Sequence, residues 1–123
     1  MSELITQTGE AFVAQFFATF DDVAQRSNLS AFFGNDSLMT VDGTQDEGTD
    51  LIMARLGSLT SQTLTHAPTR IESVPSADGI LVQVVARVKA DDDPWRPITD
   101  TFVLSPRDGG LYVRTWLRMT LPA

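Results

Sequence analysis

Four strand-like runs in the second half of the chain, QTLTHAPTRIESV, GILVQVVARVKA, PITDTFVLS and GLYVRTWLRMTL, are joined only by PSADG, DDDPWRP and PRDGG. The runs are rich in β-branched and aromatic residues, which suit a pleated and half-buried surface. The connections are built from Pro, Asp, Ser and Gly, which preset turn dihedrals or bond their own backbone. Links this short leave no room for a crossover, so the runs pair as a long antiparallel meander. Side chains alternate along a strand. In the last run this sends Leu111, Val113, Leu117 and Met119 to one face and Tyr112, Arg114, Trp116 and Arg118 to the other. One face of such a sheet needs a cover.

The first half supplies it. Phe12, Phe16 and Phe20 recur every four residues with Val13 and Phe17 alongside, which predicts an amphipathic helix over about residues 4–24. The stripe reads as core. A shorter helical piece at NLSAFF points Leu29, Phe32 and Phe33 one way. SLMTVDG reads as a strand closed by an Asp-Gly turn, with TQDEG returning. Thr49 is placed to cap a helix over DLIMARLGSL, whose Ile52, Leu56 and Leu59 share a face. The expected fold is α+β: a cone in which a strongly bent antiparallel sheet wraps around a long N-terminal helix and two shorter helices, its open mouth forming a pocket. The whole chain, 1–123, is expected to be a single domain.

A formal charge of -7 and a pI near 4.4 oppose binding to a phosphate backbone, which relies on Lys and Arg contacts that release counterions. No direct nucleic-acid partner is expected. The same field favours a protein with a basic patch. With no cysteine, disulfides and thiolate metal sites are excluded. MSELITQTGE is acidic and polar rather than basic then apolar, and no apolar run is long enough to span a bilayer. The expectation is a soluble intracellular protein with no membrane partner.

Several residues carry candidate chemistry. KADDDPWRP sets Asp91, Asp92 and Asp93 side by side on a hairpin tip, where adjacent like charges cost on the order of 1 kcal/mol per contact at about 4 Å in water. Either water or a basic partner meets them. The run lacks the alternating ligands and glycine of a calcium loop, and DGTQDEGTD misplaces its glycine. Trp95 beside them is a large aromatic on a tip, suited to a partner or to folding back. His66 is the one histidine. Asp100 alternates with Ile98, Phe102 and Leu104, so it is expected to face the cone interior. Gln83, Val85 and Arg87 stand beside Tyr112 and Trp116 in a mixed face too apolar for plain solvent, which suggests a subunit interface with Arg114 and Arg118.

FVAQFF, MTVDGTQDEG, LGSL before His66, VVARVKADDDP, TFVLS and LRM occur in this order from about Phe12 to Met119. Together they resemble the nuclear transport factor 2 family of small cone-shaped homodimers. The resemblance implies a carrier of the GDP form of the small GTPase Ran that also binds phenylalanine-glycine repeats of nucleoporins. It would work between cytoplasm and nucleus, at the pore in the nuclear envelope, with no cofactor and no catalysis. By position it implies Ran contacts at Asp42, Asp91 and Asp93, around a pocket lined by Leu59, Leu64, His66 and Leu117. The dimer face would comprise Gln83, Val85, Arg87, Tyr112, Arg114, Trp116 and Arg118. Val41 and Ser61 stand where the family usually has aromatics, which implies a wider or wetter pocket, and Ile5 where it tends to have a nucleoporin-gripping tryptophan.

Two alternatives accompany this reading. The small subunit of the mRNA-export receptor shares the fold and heterodimerises through the same face without the aspartate cluster. Isomerases and dehydratases also use the cone, for which Asp100 and His66 are the available acid-base pair. The single tyrosine, Tyr112, falls on the opposite face from Asp100 and would not supply an oxyanion donor.

Overall fold

The computed structural model describes residues 2–58 and 63–122. Helix α1 (Ser2–Asp21) is followed by a short 3-10 helix (Arg26–Phe32), the hairpin β1 (Phe33–Val41) and β2 (Thr44–Glu47), and helix α2 (Thr49–Gly57). Strands β3 (Leu64–Ser76), β4 (Gly79–Ala90), β5 (Arg96–Arg107) and β6 (Gly110–Thr120) complete it. The first helix ends earlier than periodicity predicts. Gly48, in a positive-φ conformation, rather than Thr49 holds the N-cap position of α2. Among the described residues no helix is long and apolar enough to cross a membrane.

The meander from β3 to β6 is antiparallel throughout. The sheet as a whole is not. Its order is β2-β1-β6-β5-β4-β3, and β1 pairs with β6 in parallel, so the expected antiparallel sheet is in fact mixed. Four turns place non-glycine residues at positive φ: Asp42 before Gly43, Ala77 between β3 and β4, Asp91 in the aspartate run, and Asp108 before Gly109. Asp tolerates the left-handed region because its short side chain bonds nearby backbone.

The core lies between the concave sheet face and α1. Phe16, Phe20, Phe102 and Trp116 are fully buried, and Phe16 meets Phe102 and Trp116 edge to face at 5.1 Å. Such tilted pairs add to plain area burial because the positive ring edge meets the negative ring face. Trp116 corrects the sequence reading, which sent it and Arg118 outward. Val103 pairs with Thr115 but Leu104 pairs with Val113, so Arg114 is an extra residue with no partner on β5. This bulge shifts the alternation by one. Val113, Trp116 and Arg118 then face the interior, while Leu117 and Met119 turn to the convex face.

Candidate functional site

The C-terminal ends of α1, α2, β1 and β6 gather at one end of the cone with the turn between β4 and β5. This end is the mouth. Within it lies a cavity of about 230 Å³ lined by Phe20, Val41, Arg55, Leu56, Ser58, Trp116 and Arg118. Leu56 reaches it because α2 turns Ile52 and Leu56 inward on one face. Arg55, one residue away, sits at the edge and pairs with Asp46 of β2. Leu59 and Ser61, both expected near this pocket, lie outside the described residues.

Behind the cavity runs a chain of polar groups. Both Asp100 oxygens accept from Arg118, through Nε and Nη2 at 2.8 Å each, and Oδ1 also accepts from Trp116 Nε1 at 3.0 Å. Arg118 Nη2 donates a further bond to His66 Nε2 at 2.9 Å. The Nδ1 of His66 faces Asp21 Oδ1, and its backbone N–H donates to Asp21 Oδ2 at 2.8 Å. The imidazole stacks on Phe17 at 4.4 Å. An acceptor at Nε2 and a donor at Nδ1 define a neutral ring. Burial pushes the His66 pKa below its usual 6.5, against the opposing pull of Asp21. These contacts leave Asp100 and His66 bridged by Arg118, with both carboxylate oxygens and both ring nitrogens engaged by partners. Tyr112 is remote from them: its hydroxyl bonds Asp36 at 2.8 Å, and that carboxylate raises its pKa.

A pH dependence follows from His66. Its folded-state pKa lies below the unfolded value, so the unfolded chain binds more protons in between, and stability falls as pH drops below about 6.5. Melting temperature should therefore decrease between about pH 7.5 and 5.5, and a His66→Gln protein should show a flatter profile across that window. An unchanged slope in the variant would remove His66 as the cause.

The rim is acidic. Asp91 Oδ1 accepts from the backbone N–H of Thr63 at 2.7 Å, tying the aspartate turn to the start of β3. Asp92 and Asp93 are exposed, and their carboxylates have no hydrogen bond among the described residues. Asp42 differs from its expected role. Its two oxygens accept from Thr120, Oδ1 from the backbone N–H at 2.7 Å and Oδ2 from the hydroxyl at 2.9 Å. The backbone bond first and the hydroxyl second lower its pKa. Asp42 therefore clasps β6 to the β1–β2 turn before it meets any partner.

Leu64 and His66 are both buried, but neither lines the cavity, and Leu117 faces away from it. Phe20, Leu56, Arg55, Trp116 and Arg118 were missed as pocket residues. Only the 3.6-residue spacing that puts Phe20 and Leu56 on core faces could have signalled two of them. On the convex face, Gln83 accepts from Thr101 at 2.7 Å, Val85 is exposed, and Arg87 lies over the Trp95 ring at 4.9 Å. Trp95 thus folds back on its own sheet. Arg114 is exposed at the bulge, and Tyr112 lies under Arg107 at 4.8 Å.

A helix-backed, half-open cone with a pocketed mouth defines the class to which comparison then gives a family. The family model described as the nuclear transport factor 2 (NTF2) domain matches residues 8–115. A Neurospora crassa protein named nuclear transport factor 2 is 31% identical over 112 residues, covering 89% of each chain. The solved structure of nuclear transport factor 2 from Cryptosporidium parvum superposes with a TM-score of 0.89 at 28% identity, covering 95% of this chain and 94% of that one. A candidate dehydratase from Streptomyces avermitilis, at 11% identity and a TM-score of 0.81 over 100% of both chains, shares the fold alone. This chain belongs to the nuclear transport factor 2 family.

Proposed function

We propose that this chain is a nuclear transport carrier that binds the GDP form of Ran at the cone mouth and nucleoporin phenylalanine-glycine repeats elsewhere, moving between cytoplasm and nucleus through the pore. The observation that carries this reading is that one end of the cone carries both an aromatic-floored cavity and, on the turn between β4 and β5, the exposed carboxylates of Asp91 and Asp93. A Lys or Arg of the partner that enters between these acids gains charge-assisted hydrogen bonds and relieves their mutual repulsion. An aromatic side chain entering against Phe20, Leu56 and Trp116 adds about 1.5–3 kcal/mol if fully buried. Charge steers the encounter, and the cavity anchors it.

Asp42 has a smaller share in this scheme than Asp91 and Asp93, because Thr120 already holds both its oxygens. The convex face supports a homodimer. It exposes Val85 and Met119, which flank Thr99 across β4, β5 and β6, with Leu117 and Val103 half-buried further along the same face. A monomeric mass by sedimentation equilibrium at micromolar concentration would overturn this part.

Titration calorimetry against Ran loaded with GDP, and in parallel with a GTP analogue, tests the cargo. Binding is expected to the GDP form alone. The Asp91→Asn, Asp93→Asn double variant should bind about tenfold or more weakly and lose much of its salt sensitivity. Unchanged affinity in that variant would remove the electrostatic argument. Binding of neither form by folded protein would remove the carrier reading.

A further inference from the structure

We infer that the mouth cavity also binds a small organic carboxylate, a single aromatic ring with one anionic group, seated on Phe20, Leu56 and Trp116 with its charge between Arg118 and Arg55. The volume sets the size: about 230 Å³ lies below the roughly 300–1,000 Å³ typical of drug-sized ligands and suits one ring. The lining sets the chemistry. Among the described residues four apolar side chains, Phe20, Val41, Leu56 and Trp116, share the wall with two guanidinium groups and the small Ser58, and no carboxylate lines it.

The acids that pair with these arginines stand outside the cavity. Asp100 is buried behind it and takes Nε and Nη2 of Arg118, while Asp46 on β2 takes Nε of Arg55. Among the described residues Arg118 Nη1 has no hydrogen-bond partner, although the side chain is only 12% exposed and the ring faces of Phe20 and Trp116 lie 5.6 and 5.4 Å from its guanidinium carbon. An N–H group held this way in a largely desolvated, aromatic setting favours an acceptor that carries charge. Its orientation is already set by Asp100 and His66, so binding a carboxylate costs little further ordering.

This inference uses the cavity but needs no GTPase, and the rim aspartates separate the two readings. Asp91, Asp92 and Asp93 attract a basic protein but repel a small anion. The experiment uses Trp95→Phe protein, in which Trp116 is the sole tryptophan, titrated with sodium phenylacetate and with neutral phenylacetamide while its fluorescence is followed. Saturable binding of phenylacetate with a Kd of about 1 mM is expected for a ligand of this size. The amide should bind about tenfold more weakly. Val41→Phe, which fills the cavity, should abolish saturation, and Asp91→Asn with Asp93→Asn should leave phenylacetate binding equal or tighter. Equal affinity for acid and amide, no saturable response from folded protein, or undiminished binding by the Val41→Phe variant would each overturn the inference.

Discussion

Replacement of Gly79 with alanine should destabilise this domain by about 3 kcal/mol or more, at the upper end for a single added methyl. A Cβ built at Gly79 would stand 1.9 Å from the Leu104 carbonyl oxygen and 3.0 Å from its carbon. Both neighbours are backbone, so no side-chain rotation can relieve the clash. The start of β4 must move away from β5 and give up the Ile80–Leu104 pairing. Gly110→Ala is the control, because its Cβ would meet only the Arg107 carbonyl oxygen at an ordinary 3.8 Å. Urea denaturation should show a large fall in midpoint for Gly79→Ala and a change under about 1 kcal/mol for Gly110→Ala. Equal effects would mean that strand propensity, rather than the contact, decides.

The second large effect comes from the buried ion pair. Asp100 is fully enclosed, and Arg118→Met would leave its carboxylate with Trp116 as the one remaining side-chain donor. Removal of one partner of such a pair costs about 3–5 kcal/mol, because the surviving charge stays out of water. For a domain of this size that corresponds to a fall of about 10–20 °C in melting temperature. The double variant Asp100→Asn, Arg118→Met should recover most of the loss, since the neutral amide can still accept from Trp116 Nε1. A double variant no more stable than Arg118→Met would show that packing around Phe20 and Trp116, rather than an uncompensated charge, governs this region.

The elements were largely legible in the chain because their signals are local. The Phe12, Phe16, Phe20 spacing and the Asp-Gly links in TVDG, PSADG and PRDGG each report on neighbours a few residues away. The site was less legible for two physical reasons. Period-two counting along β6 presumes an unbroken ladder, and the extra residue Arg114 breaks it just before Trp116. Alternation accordingly put Leu117 on the helix-packed face and Trp116 on the opposite one, the reverse of what is found. The second reason is pairing between distant segments. Nothing near Asp42 announces that Thr120 will occupy its carboxylate, and nothing near Phe33 announces a parallel partner at Val113. Asp100 was placed correctly because β5 alternates without interruption from Ile98 to Leu104.

The place of β6 in the sheet bears on how the molecule is born. It is made after the other five described strands, yet it lies between β1 and β5. While a ribosome still holds Gly110–Thr120, the β1–β2 hairpin and the β3–β5 meander share no ladder, and each presents a naked edge. Long-range pairing of this kind is slow to form. Synthesis and closure are thus separate events, and the nascent chain passes through an interval in which two half-sheets wait, exposed to chaperones and to one another, for the strand that joins them.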